Sequence, residues 1–126
     1  MAAYFIACYP RPANGEYKFD LDYYLKTHMP MQLKAHAPHG MRSYHVITPN
    51  KESGFAIQTI EYWDNIERLK SAMEDSVGKG SMAHLEQDIK KYTDITNAFA
   101  IMGEIQGAYV DDKMTIETLA AKGRGF

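Results

Sequence analysis

Reactive potential in this chain concentrates at His28, which lies on the apolar side of a helical pattern, two residues before Pro30. An unperturbed imidazole titrates near ~6.5, so small environmental shifts let it give or take a proton at neutral pH. Tyr24 precedes it by one helical turn and shares its face. A phenol there could orient the imidazole or bind a developing oxyanion. Each residue also has a plain structural reading. His28 could satisfy a carbonyl freed by Pro30, and Tyr24 could be a core aromatic.

His45, Tyr62, Trp63, Tyr92 and Phe99 are the candidate binding residues. Tyr62, Trp63 and Tyr92 fall at the ends of predicted elements, where pocket mouths form. With Phe55 and Phe99 they could line an aromatic cavity for a flat hydrophobic substrate. His45 follows Tyr44 in a strand whose parity is open.

Four histidines, at 28, 36, 39 and 45, raise the question of a metal. His28 and His36 would sit about 12 Å apart on a continuous helix, too far for one ion. His36-Ala37-Pro38-His39 could offer a loop pair, but no Asp, Glu or Cys interleaves as a third ligand. No metal is therefore expected, and His36 and His39 read as solvated loop residues. Cys8 is the single cysteine, which excludes an internal disulfide and a cysteine metal cluster. It reads as a buried thiol, since Arg11 is its only basic neighbour. There is no Ser-His-Asp pattern, phosphate loop or dinucleotide fingerprint.

The elements that must position these groups follow from patterning. The chain has 126 residues, with 14 Lys+Arg against 16 Asp+Glu and a formal charge of −2. That length suits one domain, and the balance argues against nucleic-acid binding. No apolar run reaches the ~18–20 residues of a membrane helix. Met1–Tyr9 lacks a basic start and a cleavage-like site, so it reads as a strand and not a signal peptide. A cytoplasmic protein is expected.

Residues 2–9 are apolar on both faces, as in a doubly covered strand. A helix starts at Asp20, with Phe19 and Tyr24 as a hydrophobic staple. Pro30 lacks an N–H for the Lys26 carbonyl and predicts a kink or break at His28-Met29-Pro30. Strands follow over Met41–Thr48 and Phe55–Trp63, joined by the turn-rich Pro49–Gly54. Asp64-Asn65-Ile66-Glu67 reads as a capping box capped by Asp64. Ile66, Leu69, Met73 and Val77 form the next helical face, which Gly78 and Gly80 end. From about Ser81 a short helix buries Met82, Leu85, Ile89 and Tyr92. A fourth strand covers Ala98–Val110. The order is βαββαβ, an α+β ferredoxin-like layout. Two helical segments cover one sheet face. The other face is also apolar, so a second copy is expected on it, giving a homodimer.

Phe19-Asp20 with Tyr23-Tyr24, His28 and Pro30 resembles the F-D-x-x-Y-Y-x-x-x-H-x-P helix signature of the EthD-type family. Tyr9-Pro10 resembles the end of that family's first strand, and Tyr92-Thr93-Asp94 its F-T-D stretch. The resemblance spans residues 3–110. Residues 1–110 are therefore read as the domain and 111–126 as a C-terminal tail with a short helix over Met114–Ala121. The resemblance implies a dimeric α+β barrel whose His-x-Pro histidine faces the cavity. The family and its structural relatives include a protein tied to ether degradation, lactone isomerases, polyketide cyclases, and fungal decarboxylases or dehydratases. Other barrels of this type degrade haem or oxidise anthrones. Fold does not choose among them. The leading expectation is a cofactor-independent lyase or cyclase acting on a small polyketide-like or aromatic substrate. His28 would be its general acid/base and Tyr24 its hydroxyl donor. The rivals are a cofactor-free or haem-dependent monooxygenase and a non-catalytic ligand-binding accessory protein.

Overall fold

In the computed structural model, residues 1–76, 80 and 82–111 are described. Val77, Gly78, Ser81 and most of the expected tail lie outside them. The strands are β1 (Ala3–Pro10), β2 (Met41–Ile47), β3 (Phe55–Trp63) and β4 (Phe99–Glu104). They form one antiparallel sheet in the order β2-β3-β1-β4. The helices are α1 (Leu21–Tyr23), α2 (Met29–His36), α3 (Ile66–Asp75) and α4 (His84–Gln87). This is the ferredoxin-like α+β fold. Among the described residues, no helix is long and apolar enough to cross a membrane.

Pleating sends alternate residues to opposite faces. Ala3, Phe5, Ala7 and Tyr9 of β1 pack into the helix-covered core with Ile57 and Trp63 of β3. Tyr4, Ile6 and Cys8 point the other way, and their partners across the ladder include Tyr62, Ile60, Ile101 and Phe99. Phe99 is 48% exposed and Ile101 46%. β4 is an edge strand and ends at Glu104, six residues before the expected Val110.

Asp20 caps α1 by accepting from the Tyr23 N–H at 3.0 Å, and Phe19 meets Tyr24 edge-on at 5.1 Å. The expected break at Pro30 takes a different form. Tyr24–His28 is a π turn, in which the Met29 N–H donates to the Tyr24 carbonyl, and α2 then runs on from Met29. One inserted residue widens the turn ahead of the proline, where Pro30 falls in the first turn of α2 and its missing N–H matters least. The helix therefore continues and is not cut.

The cap of α3 also lies one residue later than expected. Asn65 accepts from the Arg68 N–H at 2.9 Å. Asp64 is instead held by Arg42 and Arg68. Arg68 in addition donates to the Pro38 carbonyl at 2.8 Å, where Gly40 turns the chain with φ 111°. The start of α3 is thus tied to the end of the α2 segment.

Candidate functional site

Tyr24, His28, Gln32 and His36 follow one another at four-residue steps and all line a cavity of about 190 Å³ between helices and sheet. In an α-helix such steps overshoot a full turn by about 40° each. The π turn between Tyr24 and His28 absorbs part of that overshoot. Phe5, Ala7, Tyr9 and Glu61 form the sheet side of the cavity, and Met73, Leu85, Ile89 and Tyr92 the rest of its apolar wall.

The buried His28 imidazole places Nδ1 2.9 Å from Asp88 Oδ2. Tyr23 donates its hydroxyl to Asp88 Oδ1 at 2.9 Å, and Lys91 stands 3.5 Å from the same oxygen. Burial pushes the Asp88 carboxyl up, but the His28 and Tyr23 hydrogen bonds outweigh it and keep the group below its ordinary range. Burial lowers the His28 pKa, against the pull of Asp88 and Gln32 toward the charged form. The neutral imidazole thus carries its proton on Nδ1, toward the carboxylate. Nε2 is left as the basic nitrogen.

Glu61 is 1% exposed. Gln32 donates its amide to Oε2, and the Trp63 indole N–H donates to Oε1 at 3.1 Å. Burial raises its pKa to about 7, against those two donors. Glu61 is therefore present in both protonation states at neutral pH, and Gln32 stands between it and His28.

Three phenols complete the interior. The Tyr24 hydroxyl is 2.6 Å from Thr59 Oγ1, and those of Tyr9 and Tyr92 are 2.7 Å apart. Burial raises the pKa of all three, so they stay protonated. A pair of hydroxyls holds two protons and uses one between its members. Each pair therefore has a second proton to offer a third group.

Thr93 and Asp94 fix where this helix begins. Thr93 donates its hydroxyl to the Lys18 carbonyl at 2.7 Å, and the Lys18 N–H donates to Asp94 Oδ1 at 2.8 Å. The Asp20 N–H donates to the Tyr92 carbonyl at 2.7 Å. The Tyr92-Thr93-Asp94 stretch thus clamps the entry of α1 against the segment that carries Asp88.

Of the candidates from sequence, His28, Tyr24 and Tyr92 meet at the cavity. Trp63 is buried behind it and touches Glu61 and the His36 ring, at 5.2 Å between centroids. His45, Tyr62 and Phe99 do not reach it. His45 pairs with Ile60, Tyr62 with Tyr4, and Phe99 with Cys8, all on the opposite sheet face. His36 corrects the expectation of a solvated loop residue. It is 1% exposed because α2 extends to it and carries it under Trp63. Asp88, Glu61 and Gln32 are the residues that sequence reasoning passed over. Asp88 had a signal, since it shares the helical face of Leu85 and Tyr92, and Glu61 alternates in phase with Ile57 and Trp63. Among the described residues, no group of three or more His, Cys, Asp or Glu is placed to hold a metal ion.

Solved structures similar to this chain include an EthD-like protein from Ralstonia eutropha, 24% identical, with a TM-score of 0.66 over 86% of this chain and 95% of that one. An EthD family protein from Bacillus halodurans is also 24% identical, with a TM-score of 0.56 over 83% and 99%. SnoaB, a cofactor-independent oxygenase from Streptomyces nogalater, has a TM-score of 0.55 at 5% identity over 87% and 98%. These likenesses bear out the resemblance and the fold. No family model and no curated protein matches the sequence.

Proposed function

We propose that this chain is a cofactor-independent lyase or cyclase that moves a proton next to a carbonyl in a small hydrophobic or aromatic substrate. The observation that supports this reading is the buried Asp88–His28 pair at the wall of a mostly apolar cavity. Asp88 holds the imidazole in one tautomer and stabilises the imidazolium that forms when Nε2 takes a proton. The electron pair of the broken C–H bond moves into an enolate. A hydroxyl of the Tyr24 or Tyr9–Tyr92 pair donates to the enolate oxygen. Loss of a β-hydroxyl as water, with its proton supplied by Glu61, gives dehydration. Attack of the enolate carbon on a second carbonyl, whose oxygen takes up the electron pair and the proton held by the imidazolium, gives ring closure. In decarboxylation His28 takes the proton of the substrate's carboxyl group, the carboxylate leaves as carbon dioxide, and the imidazolium returns that proton to the carbon of the resulting enolate.

The cavity, at about 190 Å³, lies below the ~300–1,000 Å³ usual for ligand pockets. It suits a single ring or a short chain better than a multi-ring polyketide. We further propose that two copies join through the open sheet face, where Phe99 and Ile101 are exposed.

The test is His28→Gln with the substrate recovered by mass analysis of small molecules that co-purify with the protein. Turnover should fall about 10²–10⁴-fold. A loss of under threefold, or about 0.7 kcal/mol of barrier, overturns the assignment. The likeness to SnoaB supports a second reading, oxygenation without a cofactor through the same base. Oxygen consumed in step with substrate would select it. A ligand recovered unchanged after prolonged incubation would select the accessory-protein reading.

A further inference from the structure

Asp88 faces two ways, and the chemistry above uses one of them. Its Oδ2 lies 2.9 Å from His28 Nδ1, and its Oδ1 lies 2.9 Å from the Tyr23 hydroxyl. An ionised carboxylate only accepts, so both contacts run toward it, from the Tyr23 O–H and from the His28 Nδ1–H. Neither Tyr23 nor Asp88 is among the residues that line the cavity. Any effect of Tyr23 on chemistry there thus passes through Asp88.

The helix is wound so that both donors reach one carboxylate. Tyr23 and His28 are five residues apart. On an α-helix such positions stand about 140° from each other around the axis. The π turn over Tyr24–His28 takes an additional residue into that turn, which brings positions five apart back toward one side. Asp88 meets them from the start of the 3₁₀ turn Asp88–Lys91. The Tyr23 ring lies nearly parallel to that of Tyr92, at 24° and 6.5 Å between centroids.

A carboxylate turns about its Cβ–Cγ bond in a broad two-fold well, and Lys91 offers it another partner. The exposed Lys91 ammonium is 3.5 Å from Oδ1. The Tyr23 hydroxyl holds the same oxygen by a shorter contact, from the helix that also carries His28. With Oδ1 anchored in this way, Oδ2 stays on Nδ1. The rings of Tyr24 and Tyr92 pack against the imidazole at 5.4 and 4.6 Å between centroids, and burial keeps both phenols protonated. Glu61 stands beyond Gln32. The charge that places the imidazole proton is therefore that of Asp88.

We infer that Tyr23 is a positioning residue, which holds the Asp88 carboxylate in the orientation that keeps the His28 proton on Nδ1 and leaves Nε2 bare. Its bearing on turnover rests on His28 being the base, as proposed above. Its bearing on the tautomer does not.

Nitrogen NMR of the full chain without ligand tests it. In the wild type, His28 Nδ1 should give the signal of a protonated nitrogen and Nε2 that of a bare one. Tyr23→Phe keeps the ring beside Tyr92 and removes only the hydroxyl. In this variant the two signals should move toward each other, as the proton spreads over both nitrogens. The His28 pKa should also fall, because an imidazolium whose carboxylate turns away loses its charge partner. The sign separates two roles. If Tyr23 only drew charge from an Asp88 that stays in place, its removal would strengthen the Asp88–His28 bond and raise that pKa. A rise, or signals unmoved in Tyr23→Phe, overturns the inference, and so does a wild-type His28 with its proton on Nε2. The buried His36, on the same helical segment, should keep its signals, which checks the fold. Lys91→Met should leave the His28 proton on Nδ1. Mixing as large as in Tyr23→Phe would give the role to Lys91 and overturn the inference. With the substrate in hand, kcat of Tyr23→Phe should fall about tenfold to a hundredfold at nearly constant KM. An unchanged kcat, where His28→Gln has lost turnover, overturns the inference alone. Turnover that survives in both variants refutes the base assignment, and the nitrogen signals then decide the role of Tyr23.

Discussion

Every strand of the sheet supplies both of its faces, yet the two faces hold different chemistry. Toward the helices, Thr59 and Glu61 of β3 are buried and hydrogen-bonded, to Tyr24 and to Gln32 and Trp63 respectively. Toward the other side, the same strand presents Ile60 and Tyr62, and β4 adds Phe99 and Ile101. Ionisable groups gain unusual proton affinities only where water is excluded and each has a specific partner. The helix-covered face provides that, and the open face provides apolar area without such partners. The helix-covered side of the sheet is thus the one proposed to be reactive, and the open side the one proposed to meet a second copy.

The sharpest way to break this contrast is Asp88→Asn. An amide keeps the shape but can donate toward His28 Nδ1, which moves the imidazole proton to Nε2 and removes the base. Turnover should fall about 10²–10⁴-fold, with the circular dichroism spectrum unchanged. An activity close to wild type would mean that the pair is structural.

Glu61→Gln probes the same side through stability. The carboxyl has an ordinary value of 4.5 and a folded value of about 7. Between these the folded chain keeps a proton that the unfolded chain has lost. Stability therefore falls as pH rises from 4.5 to about 7, by on the order of 3 kcal/mol. Denaturant titrations across that range should show a slope in the wild type relative to Glu61→Gln. Parallel curves would mean that Glu61 titrates normally.

On the adhesive side, Ile101→Glu sets like charges on a face proposed to meet its own copy. The dissociation constant of the dimer should rise about tenfold to a hundredfold, or about 1.4–2.8 kcal/mol, as read by sedimentation. An unchanged constant would place the interface elsewhere. The smallest effect belongs to His45→Ala. It should leave turnover within threefold, about 0.7 kcal/mol, because His45 faces away from the cavity.

Much of the architecture was legible from patterning. The strand cores, the Asp20 cap, the Phe19–Tyr24 staple and the buried stripe of Met82, Leu85 and Tyr92 depend on contacts within a few residues. What failed depends on geometry that accumulates along the chain. The phase of β2 is reset by an irregularity between Met41 and Ser43, so alternation alone could not assign His45 to a face. Pro30 announces a disturbance, but widening and breaking a turn look alike in sequence. The site was half legible for a related reason. His28 and Tyr24 share one helix, whereas Asp88 reaches His28 across 60 positions and Gln32 reaches Glu61 across 29. Both carboxylates sit on apolar stripes, and that conflict is the trace such partners leave in a sequence.

The widened turn at Tyr24–His28 has a genetic consequence. A helix one residue too long for its hydrogen bonds can be regularised by losing one codon. Deleting Leu25, Lys26 or Thr27 would restore even winding and set His28 three residues, or about 300°, after Tyr24. His28, Gln32 and His36 would shift together relative to Tyr24, by the angle that the widened turn now takes up. A single in-frame deletion would thus change the spacing of the site's first two side chains, and a single insertion into an ordinary helix is a short route to the present one.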